Sequence, residues 1–288
     1  MIFVSTTYYN KGSSNLKEVL LELSKLDIDG IEIGSTHKYD SKNNYKKFIK
    51  KIKSKKIFIH NFFPPIRNSD FLINISSSSK KIREDSVNII INNIDFCKEV
   101  GALLYTIHPG FLSEGVPQSN FKKKDYNFNF SKKKLLHKND GFDFMINSLK
   151  KITKYASLKK IKLAIETEGS MRKKEFLLMQ TPDEYKKIFN EIPNNLYINL
   201  NIAHTYFASL CYKFSIKNFI KLINTRIEAV ELSCNNGLDD QHMPLSINSK
   251  NLTFLKLIKN KTIILEFRNS SLDQIKNSIE LVRRTYGN

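Results

Sequence analysis

The residues of this chain that are most suited to chemistry are histidines and acids at or just after the ends of short apolar runs. They are His60, His108, Glu166, His204, Glu231, Asp240, His242 and Glu266. Ionised carboxylates that gather in one place need a cation or shared protons to offset their repulsion. A divalent metal supplies that charge, and imidazole together with carboxylate suits Zn²⁺ or Mn²⁺. Any one of these residues alone is more typical of a hydrogen-bonded structural position, so the metal-site hypothesis depends on their meeting.

The apolar runs that carry or precede these residues are predicted to be eight strands. They are residues 2–8, 30–34, 57–62, 103–108, 162–167, 196–201, 229–233 and 262–267. Most are unbroken at their centres, which is typical of parallel strands buried on both faces. The segments between them have the pattern of helices, and Thr181-Pro182-Asp183-Glu184 is a helix-start signature. Eight strands that alternate with helices, with no obvious linker, predict an α/β fold of the (β/α)8 TIM barrel type as a single domain over residues 1–288.

A TIM barrel places its active site at the C-terminal ends of its strands, which is where the histidines and acids stand. One segment breaks the alternation. Residues 111–140 are long and lysine-rich and follow the predicted fourth strand, so they are expected on the catalytic face. Both a substrate lid and a disordered surface insertion fit this composition.

The net charge of +19 would suit a polyanionic partner, but only seven of the 47 basic residues are arginine. Proteins that read nucleic acids rely on arginine for bidentate contacts, and the lysines here are spread along the chain. Solvated helix faces are therefore the favoured interpretation, and nucleic acid is not the expected partner. The three cysteines lack disulfide or metal spacing, and no apolar run approaches the roughly 20 residues of a membrane span. We expect a cytoplasmic protein with no membrane association.

Several short motifs carry a resemblance to a known family. They are His60-Asn61-Phe62-Phe63-Pro64-Pro65, residues 71–76, Ser86, His108-Pro109-Gly110-Phe111, Ile165-Glu166, His204, residues 232–245 and Leu265-Glu266. With these motifs the chain resembles the xylose isomerase-like TIM barrels over nearly its whole length. That family includes sugar and sugar-phosphate isomerases and epimerases and, more distantly, abasic-site nucleases of the endonuclease IV type. The most specific piece, Asn235-Asn236-Gly237 with Asp240, His242 and Pro244, resembles the isomerase and epimerase branch.

The resemblance implies a catalytic divalent metal (Mn, Mg or Zn) held by one residue from each of the predicted strands five to eight. The implied ligands are Glu166, Asn201, Glu231 and Glu266. Asn201 stands where the family usually has aspartate, and Glu231 where it usually has histidine. The set keeps three carboxylates and loses its imidazole, which favours Mn²⁺ or Mg²⁺ over Zn²⁺ and leaves open a site that binds no metal. His60, His108, His204 and the Asp240/His242 pair match positions that hold additional zinc ions in the nucleases.

The implied reaction is the isomerisation or epimerisation of a sugar or sugar phosphate through an enediolate. Glu166 and Glu266 would remove a proton beside the carbonyl group and return it. His60, His108 and His204 would bind substrate, and Arg268 or the lysines of residues 111–140 would hold a phosphate or carboxylate group. A homodimer is also expected from the resemblance.

Two other functions stay open. The histidines and the basic charge motivate a zinc nuclease acting on abasic DNA, but the two ligand departures, the scarcity of arginine and the Phe-Phe-Pro-Pro segment after His60 speak against it. Asn201 and Glu231 motivate a barrel that binds a sugar without catalysis.

Overall fold

Eight parallel strands close into a barrel in the computed structural model of the chain. The structure describes residues 1–8, 15–34, 37, 39–52, 54–65, 72–117, 128–130, 135–169, 175–235 and 240–286. The barrel strands, in the order in which they pair around the barrel, are β1 (Ile2–Ser5), β2 (Gly30–Ile33), β3 (Lys56–His60), β4 (Leu104–Ile107), β7 (Lys162–Glu166), β8 (Leu196–Asn201), β9 (Ile227–Leu232) and β10 (Thr262–Leu265). Each predicted strand overlaps one of them, and the prediction of a (β/α)8 TIM barrel is confirmed.

Helices follow or connect most of these strands and cover the outside of the barrel. They are α1 (Leu16–Ser24), α2 (Lys42–Lys51), α3 (Lys80–Val100), α4 (Lys138–Lys159), α5 (Pro182–Glu191), α6 (Ile202–Tyr212), α7 (Ile216–Ile223), α8 (Lys250–Thr253) and α9 (Leu272–Tyr286). Several of them begin at a side-chain cap, as at Ser79, whose hydroxyl accepts from the backbone N–H of Ile82. The predicted start at Thr181 forms a capping box with Glu184. None of the described helices is both long and apolar enough to cross a membrane.

The interior of the barrel is built in layers because alternate residues of a strand point inward. An apolar layer fills the lower part, and its members are Phe3, Phe58, Leu104, Ala164, Ala229 and Ile264. Gly30 completes that layer, since an added Cβ would lie 2.3 Å from the Phe3 ring. The inward residue two positions later on each strand forms the next layer toward the C-terminal ends. That layer consists of Ser5, Glu32, His60, Thr106, Glu166, Asn199, Glu231 and Glu266, all of them buried.

The segment predicted as an insertion, residues 111–140, is described only in part, and residues 118–127 and 131–134 lie outside the described residues. Two short strands, β5 (Gly115–Pro117) and β6 (Phe128–Phe130), pair antiparallel within it. Phe130 stacks on Phe176 with ring centroids 4.2 Å apart, and Phe111 packs against Phe130 at 4.8 Å. A lid function for this segment and the single-domain organisation over residues 1–288 both stay predictions.

Candidate active site at the barrel mouth

The first group of candidate ligands lies at the ends of β3, β4 and β7. His60 ends β3, His108 follows β4 directly, and Glu166 ends β7. The His60 Nε2 atom hydrogen-bonds to Glu166 Oε2 at 3.0 Å, and His108 Nδ1 lies 3.4 Å from the same oxygen. Candidate ligand atoms of the three residues all lie within 4.8 Å of one another, a spacing that a metal ion can bridge. We call this group the first triad.

The second group lies on the other side of the mouth and consists of His204, Asp240 and His242. The His204 Nε2 atom is 3.3 Å from Asp240 Oδ1, and His242 Nε2 is 2.9 Å from Asp240 Oδ2. The buried Oδ1 atom of Asp240 has no hydrogen-bond partner among the described residues, although it faces an imidazole nitrogen. An acceptor left in this state is what a bound cation satisfies, and the three ligand atoms again lie within 4.8 Å of one another. We call this group the second triad.

Glu166 connects the two triads, and Glu266 extends the second. The Oε1 atom of Glu166 is 3.1 Å from His204 Nδ1, while its Oε2 atom faces the first triad. Glu266, which follows β10, places Oε2 3.0 Å from His242 Nδ1. A continuous row of alternating carboxylates and imidazoles therefore runs across the mouth of the barrel.

The ionisation of these groups follows from their partners. Burial alone would lower the pKa of His60, but its hydrogen bond to Glu166 and the surrounding acids raise that pKa to about 9. Burial likewise opposes the charged form of His242, but Glu266 and Asp240 raise its pKa to about 9. Burial raises the pKa of the Glu166 carboxyl. The neighbouring imidazoles of His108, His204 and His60 lower it by more, so this pKa lies well below its usual range.

Glu231 and its amide neighbours form a different arrangement deeper in the barrel. Its Oε1 atom accepts from Asn199 Nδ2 at 2.5 Å, and its Oε2 atom accepts from Asn201 Nδ2 at 3.0 Å. Burial raises the pKa of Glu231 well above its ordinary value, and the carboxylates of Glu166 and Glu266 raise it further. Burial and the neighbouring acids therefore favour the protonated form of Glu231.

Asn201 turns its amide nitrogen, and not its oxygen, toward the acids. Its Nδ2 donates to Glu166 Oε1 at 3.0 Å, while its Oδ1 accepts the backbone N–H of His204 at 3.1 Å and caps α6. A metal ligand must direct a lone pair at the ion, so Asn201 would have to turn its amide oxygen toward the acids to share an ion with them. The structure brings Glu166, Asn201, Glu231 and Glu266 together, and their assignment as one ligand set stays a prediction.

The remaining predicted residue, Arg268, lies at the rim beyond the end of β10. Its Nη1 donates to the carbonyl oxygen of Asp240 at 3.3 Å, and its Nη2 lies 3.8 Å from Asp240 Oδ2. Half of its side chain remains exposed, so the guanidinium can also face a bound molecule. Of the specific motif that follows Glu231, Asn236 and Gly237 lie outside the described residues.

Two acids of the site were not singled out from the sequence. Glu168 accepts a hydrogen bond from His108 Nδ1 at 2.8 Å and so orients a member of the first triad. Glu32 is fully buried on β2, and neither of its carboxylate oxygens has a hydrogen-bond partner among the described residues. Burial raises the pKa of Glu32 to about 7. Alternate residues of a barrel strand point inward, and Glu168 lies two residues after Glu166 as Glu32 lies two residues after Gly30. This spacing could have identified both acids from the sequence.

Comparison with known proteins places the chain among barrels of one type. A model of the family described as xylose isomerase-like TIM barrel matches residues 20–285. An uncharacterized protein of Methanocaldococcus jannaschii is 24% identical over 206 residues, which are 70% of this chain and 69% of that protein. A probable endonuclease 4 of Aquifex aeolicus is 33% identical over 69 residues, which are 24% of this chain and 22% of that protein.

Solved structures with the same barrel include sugar epimerases. A D-tagatose 3-epimerase-like protein has a TM-score of 0.73 at 20% identity, and the match covers 99% of this chain and 96% of that one. A D-psicose 3-epimerase solved in the presence of D-fructose has a TM-score of 0.73 at 14% identity and covers 100% of this chain and 99% of that one. At these identities the likeness shows a shared fold.

Proposed function

The chain belongs to the xylose isomerase-like TIM barrel family, and on that premise we propose that it is a metal-dependent isomerase or epimerase of a sugar-like substrate. The observation that carries the proposal is the pair of buried carboxylates Glu166 and Glu266, which lie three strands apart around the barrel mouth and are joined by imidazoles. The sugar epimerases among the structural neighbours support the same class of reaction, although they share only the fold.

The donor atoms of the two triads fit a divalent metal. Each triad offers two imidazole nitrogens and a carboxylate oxygen, and the unsatisfied Oδ1 atom of Asp240 lies in one of them. Because imidazoles dominate both triads, Zn²⁺ or Mn²⁺ suits them better than Mg²⁺. A bound ion would act as a Lewis acid toward a substrate carbonyl group and its neighbouring hydroxyl.

Glu166 and Glu266 would carry the proton transfer. Histidine neighbours keep the pKa of both carboxyls below the usual value, so both are ionised at neutral pH and either can take a proton from carbon. Each also has an imidazole close by, His60 Nε2 at 3.0 Å from Glu166 and His242 Nδ1 at 3.0 Å from Glu266. The carboxylate that takes a proton from carbon can return that proton to the substrate. The separation around the barrel suits approach from two faces of a planar intermediate.

The experiment is a turnover assay of the protein loaded with Zn²⁺, Mn²⁺ or Mg²⁺. Ketohexoses, ketopentoses and their phosphates are supplied, and products are resolved by chromatography and NMR. We expect an epimer or isomer of at least one of them in the presence of metal, and its loss in Glu266→Gln. Glu191→Gln, a change of the same type on the exposed surface of α5, is the control that should keep full turnover. No turnover on the whole panel with any metal would contradict the proposal.

A second candidate is a zinc nuclease acting on abasic DNA, and the stretch similar to a probable endonuclease 4 favours it together with the two triads. The segment after His60 argues against it. Phe63 is fully buried there, with its ring 4.9 Å from Tyr45 and 5.9 Å from Phe96, so it is not available to probe DNA. Efficient nicking of plasmid that contains abasic sites, by the zinc-loaded protein, would replace the sugar proposal with this one.

A further inference from the structure

A cavity of about 820 Å³ is lined in part by Arg268, which contacts Asp240 of the second triad. It lies between the segment after β9, the short helix α8 and the first turns of α9, and therefore between the loops of the seventh and eighth barrel strands. Arg268, Asn235 and Pro244, which were predicted from the sequence as part of the site or its motif, lie in its lining. We call it the side cavity.

The lining of the side cavity is rich in amides and basic. Its charged members among the described residues are Lys250 and Arg268, and no carboxylate lines it there. Its amide side chains are those of Asn235, Asn248, Asn251, Asn269, Gln274 and Asn277. Amides present both donors and acceptors, which suits hydroxyl groups and phosphate oxygens, and the two cations select for negative charge.

Hydrogen bonds within its walls hold the side cavity in shape. Asn251 Nδ2 donates to the carbonyl oxygen of Ser233 at 2.6 Å, which ties α8 to the end of β9. Cys234 and Met243 exchange two backbone hydrogen bonds of 2.8 and 2.6 Å. A cavity with a wall fixed in this way needs little ordering when a ligand enters, so its ligand retains more of its binding free energy.

Arg268 links the side cavity to the catalytic groups. Its backbone N–H donates to the carbonyl oxygen of His242 at 2.9 Å, and its guanidinium contacts Asp240. One residue therefore touches the second triad and lines the side cavity. A molecule that spans both would place one part at the barrel mouth and another beside Arg268 and Lys250.

From this geometry we infer that the side cavity binds a phosphate group attached to the sugar substrate. TIM barrels frequently bind phosphate at the loops after strands seven and eight, and this cavity lies at those loops. The inference rests on the proposed function, since the sugar must lie at the barrel mouth. The phosphate belongs either to a sugar monophosphate or to a sugar linked to a nucleoside diphosphate.

Isothermal titration calorimetry of the metal-loaded protein tests the inference without requiring turnover. The probes are D-fructose, D-fructose 6-phosphate and UDP-glucose. We expect at least one phosphorylated probe to bind roughly tenfold more tightly than D-fructose, as two charge-assisted contacts allow. Tighter binding of D-fructose 6-phosphate would identify the ligand as a sugar monophosphate, and tighter binding of UDP-glucose would identify it as a nucleotide-linked sugar.

The variant that challenges the side cavity is Lys250→Gln combined with Asn277→Asp, which removes a cation and adds a carboxylate at exposed lining positions. Its matched control is Lys154→Gln with Asn194→Asp, which makes the same changes at a different surface cavity. We expect the phosphate preference to fall to within about threefold in the first and to persist in the second. Equal affinities for D-fructose and both phosphorylated probes, or a preference that survives in the first variant, would overturn the inference.

Failure of this inference and failure of the proposed function can be told apart. A phosphate preference that depends on Lys250 and Asn277, in a protein that turns over no sugar, would support the side cavity and contradict the isomerase proposal. Turnover of an unphosphorylated sugar, with no preference for phosphorylated probes in binding, would support the isomerase proposal and contradict the inference about the side cavity.

Discussion

The two triads hold the same ligand types on different supports. In the first triad, His60 and Glu166 end barrel strands and His108 follows one directly, so barrel geometry fixes their positions. In the second triad, His204 lies in the first turn of α6, and Asp240 and His242 lie in the segment after β9. The position of His242 depends on its local backbone. Its φ is 48°, and its carbonyl oxygen accepts a hydrogen bond from the backbone N–H of Arg268. The difference suggests that the barrel dictates one half of the mouth and that loop contacts complete the other.

Glu166 is the point at which the two halves depend on each other, so Glu166→Gln is expected to have the largest effect. The change removes the charge that faces His60 and His108 on one side and His204 on the other. Turnover should fall by roughly 10³-fold or more, since both general-base chemistry and ligand positioning are lost. Initial rates measured beside the Glu191→Gln control check this. A loss of less than about tenfold would show that the two halves act without Glu166.

Single-ligand variants test whether the halves bind metal independently. Zinc-loaded wild-type protein is expected to hold two ions, His108→Ala to keep only the ion of the second triad, and Asp240→Ala to keep only that of the first. Loss of one ligand of three should weaken the affected site by roughly 100-fold or more. Elemental analysis after gel filtration gives the stoichiometry. If either variant lost both ions, the comparison between the halves would fail.

Glu32 belongs to neither triad, and burial raises its pKa although the nearby His60 opposes the shift. Its pKa is raised from 4.5 to about 7, so its contribution to stability is full below pH 4.5 and is lost as the pH rises through about 7. Glu32→Gln cannot ionise, so the variant does not lose this stability as the pH rises. The variant should be more stable than the wild type by about 3 kcal/mol at pH 8 and by less than about 1 kcal/mol at pH 5.

Urea unfolding of the metal-free protein at the two pH values measures this difference. Glu228→Gln is the control, because Glu228 lies on β9 with part of its side chain in solvent and pairs with Lys162. The control should change the free energy of unfolding by no more than about 1 kcal/mol at either pH. A Glu32→Gln variant that is less stable than the wild type at pH 8 would mean that the ionised carboxylate has a partner in solution.

The smallest expected effect concerns the cap of α6 and separates the second triad from the first. Asn201→Ala removes the hydrogen bond to the His204 backbone N–H together with the Nδ2 hydrogen bonds to Glu166 and Glu231. It should cost at least about 1 kcal/mol of stability and weaken the second zinc ion more than the first. Ser215→Ala removes the equivalent cap of α7, at Asn218, and serves as the control. It should lower stability by about 1 kcal/mol, as the loss of a cap alone does, and leave both zinc affinities unchanged. An equal loss of both ions in Asn201→Ala would contradict this assignment.

The fold was predictable because the strands are short apolar runs followed by polar residues. The same pattern located the site, since Glu166, Glu266 and the four histidines of the triads lie at or after strand ends. The grouping into two triads was not predictable, because it depends on the side-chain conformations at the barrel mouth and on how the segment after β9 returns to contact Glu266. The role of the Asn201 amide was also not predictable, since its oxygen caps α6 and its nitrogen donates to the acids.

The most direct test of the central claim, that Glu166 and Glu266 transfer a proton at a metal-dependent sugar site, is deuterium incorporation from D₂O. Metal-loaded protein is incubated with the sugar that it turns over, and the carbon beside the carbonyl group is followed by NMR. The account predicts deuterium at that carbon with the wild type, none above background with Glu166→Gln or Glu266→Gln, and full incorporation with Glu191→Gln. Turnover that proceeds without uptake of solvent deuterium at any carbon would contradict it.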